Sequence, residues 1–170
     1  MKRMIVAMVA MVLSIATVSA QNYMVIDSEK VFKSLSSYNR ALEQIEALSA
    51  EYQTKVDAKF TEVETLYNNY MQQRAQLSDI QRQQREQNIL QKEAEATEYQ
   101  ESLFGTNGEL MKRRMEFIQP IQMQVFDTIE QFATKYGYDL VIDISANPTI
   151  LYYSSKVDFT ELIIKALNNK

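Results

Sequence analysis

The chain contains no cysteine, no histidine and no tryptophan, and among its 170 residues only three are glycine and two are proline. Without Cys or His there is no thiol or imidazole nucleophile, no soft metal site and no disulfide framework. Catalysis would have to rest on carboxylates, Lys or Tyr. Average usage would make roughly 12% of a chain Gly or Pro, so this one has few places to turn. Long uninterrupted elements, and helix first among them, are expected.

Residues 1–20 read separately from the rest. Lys2 and Arg3 form a positive start, Met4 to Val18 an apolar run, and Val18-Ser19-Ala20 a small-residue end. This is the pattern of a secretory signal peptide cleaved before Gln21; an uncleaved membrane anchor is the alternative, but the run is shorter than the ~20 residues a spanning helix needs. No Cys follows the run to take a lipid anchor. Loss of Lys2 and Arg3 would leave 16 Lys+Arg against 22 Asp+Glu, a net charge of −6. Such a surface does not neutralise phosphates, which argues against a nucleic-acid partner.

Tyr23-Met24-Val25-Ile26 is a short β-prone run, after which Ser28 can cap a helical turn reaching Leu35. From Gln21 to Phe104 there is neither Gly nor Pro, and apolar residues recur at Tyr38, Leu42, Ile45, Leu48, Tyr52, Val56, Phe60, Val63, Tyr67 and Tyr70. Their spacing of about 3.6 residues predicts one narrow stripe on a polar helix, the pattern of a coiled-coil arm. Leu77-Ser78-Asp79-Ile80-Gln81 has the capping-box spacing, which places a tip near residues 75–79 and starts a returning helix that runs to about Tyr136. Its first half is poor in large apolar residues, with Ile89, Leu90 and Tyr99 the main ones. Its second half, which includes Leu110, Met111, Phe117, Ile121 and Val125, should pack more tightly. Gly105 and Gly108 predict a break or bend, and Pro120 a kink near 116–121.

Gly137 is placed to end that helix. Leu140, Ile142 and Ile144 then alternate with Asp139, Val141 and Asp143, as in a half-buried strand; residues 145–148 predict a turn and Thr149 to Tyr153 an antiparallel partner. A last helix follows, with Asp158 as cap and Leu162, Ile163, Ala166 and Leu167 as its apolar face. The expected class is α+β but predominantly α: residues 21–35 and 137–170 form a small three-stranded body with short helices, and residues 36–136 a helical hairpin. So small a body has an unpaired edge and an uncovered face, which predicts an oligomer completed through Val25, Ile26, Leu140, Ile142, Ile144, Ile150, Leu151 and Leu162.

Other features read as ordinary structure. Lys112-Arg113-Arg114 lies between Glu109 and Glu116, as on a solvated helix face. Asp139 and Asp143 could offer oxygen ligands to a cation, but with no other acid clustered near them in sequence an exposed strand face is the better account. Phe104 to Glu109 lacks the Lys and preceding strand of a phosphate loop. No cofactor and no metal is expected. A carboxylate-only enzyme such as a glycosidase remains conceivable, although a rod offers poor walls for a substrate site.

The order of these parts resembles the Skp/OmpH family: a leader, a strand ending Val25-Ile26-Asp27-Ser28, a polar helical hairpin with a Leu77-Ser78 tip, Pro120-Ile121 on the return, Gly137-Tyr138 before a strand, Ile150-Leu151-Tyr152 and a closing helix. The resemblance implies a periplasmic holdase chaperone, a homotrimer whose arms enclose unfolded outer-membrane β-barrel proteins, with no catalytic residues. Familiar members are basic, so the acidic balance here argues against lipopolysaccharide or membrane contact. The tip alone is locally positive, with Arg74, Arg82 and Arg85 against Asp79 and Glu86. On this reading Tyr67, Tyr70, Met71, Ile89 and Tyr99 are candidate client contacts, offering apolar area with polar edges. The plainer role for such aromatics is packing between the helices. A structural spacer or adaptor of the cell envelope is the alternative function.

Overall fold

The structure, a computed structural model, describes residues 22–145 and 149–169. The predicted leader at 1–20 and the middle of the predicted turn at 146–148 lie outside the described residues. The elements in order are β1 (Tyr23–Ile26), α1 (Ser28–Lys33), α2 (Ser36–Gln73), a 3-10 turn (Arg74–Gln76), α3 (Asp79–Phe104), α4 (Glu109–Tyr136), β2 (Leu140–Asp143), a second 3-10 turn (Ser155–Val157) and α5 (Thr160–Asn168). The fold is mostly helical with one small sheet. Two compact units divide it, one of residues up to 32 and from 126 onward, the other of residues 33–125.

In the 33–125 unit, α2 and α3 pack side by side and antiparallel. The pairs that fix the direction are Tyr52 with Phe104, whose ring centroids lie 6.4 Å apart, Lys59 over the Tyr99 ring, and Tyr70 with Glu86. The buried seam of α2 runs through Ala41, Ile45, Tyr52, Val56 and Tyr70. It departs from the predicted stripe at Leu42 and Tyr67, which are exposed. Neighbouring positions carry the seam there because consecutive apolar residues on a helix straddle the contact line by about 100° per residue, and only packing decides which one turns inward. At the start of α3, Ser78 Oγ accepts from Gln81 N at 3.4 Å while Gln81 Oε1 accepts from Ser78 N at 3.0 Å. This is the capping box that the sequence spacing predicts.

The return is two helices rather than one. Gly105 N donates to Glu101 O at 2.8 Å and Gly108 N to Gly105 O at 2.8 Å, closing a tight turn between α3 and α4. A Cβ on Gly108 would stand 2.7 Å from the Leu103 carbonyl oxygen, so the turn admits no side chain there. Leu103, Phe104 and Leu110 nevertheless pack with Tyr52 and Val56, so apolar contact continues across the break. Helix α4 passes through Pro120 without interruption.

The other unit is built on a parallel pair, β1 with β2, in the register Tyr23↔Leu140, Met24↔Val141, Val25↔Ile142 and Ile26↔Asp143. Parallel neighbours need a crossover connection, here the entire segment from α1 to α4. On its other edge β1 accepts a hydrogen bond from Phe159 N to Val25 O at 2.9 Å and forms a single bridge with Asp158. Met24, Val25, Ile26, Val31, Ile129, Ala133, Ile163 and Leu167 are buried. The Phe159 ring lies 4.9 Å from that of Tyr138 and 5.9 Å from that of Phe132.

Three expectations are corrected here. The sheet has two strands among the described residues, not three: Ile150 to Tyr153 form no strand, and Leu151 and Tyr152 are 95% and 85% exposed. Their apolar residues are consecutive rather than alternating, so no single face of such a strand could be buried while the other met water. Strand β2 shows no in-out alternation either; Leu140 is exposed, and Val141, Ile142 and Asp143 are all half-buried. Finally, Asp27 rather than Ser28 caps α1, its Oδ1 accepting from Lys30 N at 2.9 Å.

Candidate functional site

Each candidate contact on the distal hairpin has a definite setting. Tyr70 is only 5% exposed; its hydroxyl donates to the Glu86 carboxylate. That bond, with burial and the Glu86 charge adding to it, raises the Tyr70 pKa above the ordinary tyrosine value, while Arg74 opposes the rise. Tyr99 is half-buried against the Tyr52, Val56 and Leu103 cluster, with Lys59 Nζ 4.9 Å from its ring centroid. Tyr70 and Tyr99 therefore pack between helices. Tyr67 and Met71 are exposed, Ile89 is half-buried, and Leu90 beside it is exposed. At the tip, Arg82 Nε donates to Leu77 O at 3.3 Å and its guanidinium pairs with Asp79 at 3.0 Å, whereas Arg74 and Arg85 face solvent.

Nearer the α2 start lies a feature that the sequence reading missed. Tyr38, Leu42, Met111, Arg114, Met115, Ile118, Gln119 and Gln122 line an open groove of about 520 Å³. Leu42, Met111 and Met115 are all exposed. The sequence reading assigned Tyr38, Leu42 and Met111 to buried packing; on α2 Ala41 is buried beside the expected Ile45, while Leu42 is exposed and Tyr38 half-buried.

Among the body residues predicted to mediate assembly, Val25 and Ile26 are buried within the single chain, Ile142, Ile144 and Ile150 are half-buried, and Leu140, Leu151 and Leu162 are exposed. Asp139 and Asp143 do not converge on a common site. The Asp143 carboxylate accepts from Ser28 N at 3.1 Å and Ser28 Oγ at 2.6 Å, and from Ser145 N at 3.0 Å and Ser145 Oγ at 2.8 Å. Burial pushes this carboxyl up, but the four bonds outweigh it and hold its pKa below the ordinary aspartate value. Arg113 is held by Glu109 at 3.0 Å and Glu116 at 2.9 Å, as on a solvated face. Among the described residues no group of three or more acidic side chains could hold a metal ion, and no helix is long and apolar enough to cross a membrane.

A chain with a long α2–α3 hairpin, an interrupted return and a small parallel sheet invites comparison with known proteins. No curated protein matches it. Its fold is similar to the crystal structure of a protein from Caulobacter crescentus CB15 proposed to be an outer membrane chaperone (OmpH-like), with a TM-score of 0.71 and 9% sequence identity over 89% of this chain and 86% of that one. At such identity the likeness concerns the fold. The sequence itself matches the family model described as Outer membrane protein (OmpH-like) over residues 22–167 of the 170. The chain accordingly belongs to the OmpH-like family.

Proposed function

We infer that the chain is exported to the periplasm and works there as a holdase, a homotrimer whose helical arms shelter unfolded outer-membrane β-barrel proteins and keep them from aggregating. The observation that carries this reading is the OmpH-like match across residues 22–167, on a chain whose longest elements are helices with apolar side chains left open to solvent. A non-native β-barrel strand exposes alternating apolar side chains and unpaired backbone. Shielding it takes adaptable apolar area rather than a shaped active site, and Tyr67, Met71 and Leu90 on the hairpin supply such area. Apolar residues exposed on the body, Leu140, Leu151, Tyr152 and Leu162, support burial between copies. The mechanism has no covalent step and no cofactor.

Two measurements on the chain lacking residues 1–20 test this. Diluting a urea-denatured outer-membrane β-barrel protein into buffer should give much less light scattering when the chain is present. Native mass measurement should find three copies alone and three copies with one client. A monomer that leaves scattering unchanged would refute the proposal and favour the spacer alternative.

A further inference from the structure

We propose that the groove lined by Tyr38, Leu42, Met111, Met115 and Ile118 is a contact site for an extended, non-native polypeptide segment carrying apolar side chains and an acidic residue. This rests on the holdase reading above and adds to it a place and a chemistry.

Three observations choose the occupant. The floor is apolar but adaptable: Met111 and Met115 are 44% and 56% exposed, and unbranched thioether chains reshape themselves to differing partners. The rim carries hydrogen-bonding groups not engaged by the protein itself: the exposed carboxamides of Gln119 and Gln122 have no partner among the described residues. Each carboxamide both donates and accepts, which suits the unpaired N–H and C=O groups of an extended backbone. Charge is the third. Arg113 is satisfied by Glu109 and Glu116, yet Arg114, the next residue and a groove wall, has no carboxylate partner among the described residues. A guanidinium without a carboxylate partner favours an acidic residue in the occupant. The same charge disfavours the chain's own residues 1–20, which carry Lys2 and Arg3 and no acid.

Because the chain contains no Cys, an introduced one is the sole thiol. Met115→Cys, labelled with a thiol-reactive benzophenone and irradiated with a urea-denatured outer-membrane β-barrel protein, should cross-link to that client at least threefold more than Glu130→Cys, which lies in the other unit. Gln119→Cys provides a second attachment point should the first perturb folding. The double variant Met111→Ser/Met115→Ser should need at least twice as much chaperone for equal suppression of scattering, with unchanged helicity and native mass, and Arg114→Glu should weaken capture of acidic clients more than of neutral ones. Normal suppression by the parent chain with background cross-linking and no variant effect would overturn the proposal while leaving the holdase reading intact. Cross-links formed mainly between copies of this chain, with or without client, would overturn it in favour of a self-interface. A parent chain that suppresses nothing would remove both.

Discussion

Gly137 has φ of +72°, and its position shows how one residue can end a long helix. Tyr138 N donates to Ala133 O at 2.9 Å and Gly137 N to Thr134 O at 3.3 Å, the paired bonds that close a helix through a left-handed residue. A Cβ there would meet nothing within 4 Å, so Gly137→Ala should cost only the backbone penalty, about 1–2 kcal/mol, visible as a lower urea midpoint. Asp143 acts differently, since two of its four hydrogen bonds tie the end of β2 to Ser28 at the start of α1 and the other two hold Ser145 just beyond the strand. Its folded pKa lies below the unfolded value, so its stabilisation is present above the unfolded aspartate pKa of about 3.9 and is lost as pH falls through the lower folded value. Asp143→Asn should therefore destabilise the chain by about 1–2 kcal/mol at neutral pH and flatten the loss of stability on acidification below about pH 4. Equal acid sensitivity in variant and parent would contradict that role.

At the scale of elements, the α2–α3 hairpin separates residues that hold it from residues that face outward. Val56 is 1% exposed within the Tyr52 and Leu103 cluster, and Val56→Ala should cost about 2 kcal/mol through lost burial and the cavity left behind. Tyr67→Ala, on the same helix but half exposed, should change stability by no more than about 0.5 kcal/mol. Thermal melts compare the two directly. The hairpin was legible in sequence because its signals are local: an absence of Gly and Pro, a 3.6-residue period, and a Ser78 cap answered by Gln81. The Leu42 and Tyr67 assignments failed for a corresponding reason, since periodicity locates a stripe only to within a neighbouring residue. The groove at Met111 and Met115 went unseen because an amphipathic stripe reads the same whether a neighbour covers it or not.

For the whole molecule, the described residues leave Leu151 and Tyr152 almost wholly in solvent, a setting in keeping with the proposed trimer. The double variant Leu151→Asp/Tyr152→Asp should shift native mass toward the monomer with helicity unchanged, because neither side chain supports the protomer's own core. Retention of the full assembly would place the interface elsewhere. By itself the sequence determined the helical class, the hairpin and its cap, a glycine interruption of the return (though not whether it breaks or bends the helix) and the glycine stop, because each depends on residues within a turn or two of one another. Only the tertiary structure decided that β1 and β2 pair in parallel, that Ile150 to Tyr153 form no strand, and that Asp143 binds Ser28. Those outcomes depend on which distant backbone and side-chain groups arrive at one another, and more than a hundred intervening residues carry no local record of that meeting.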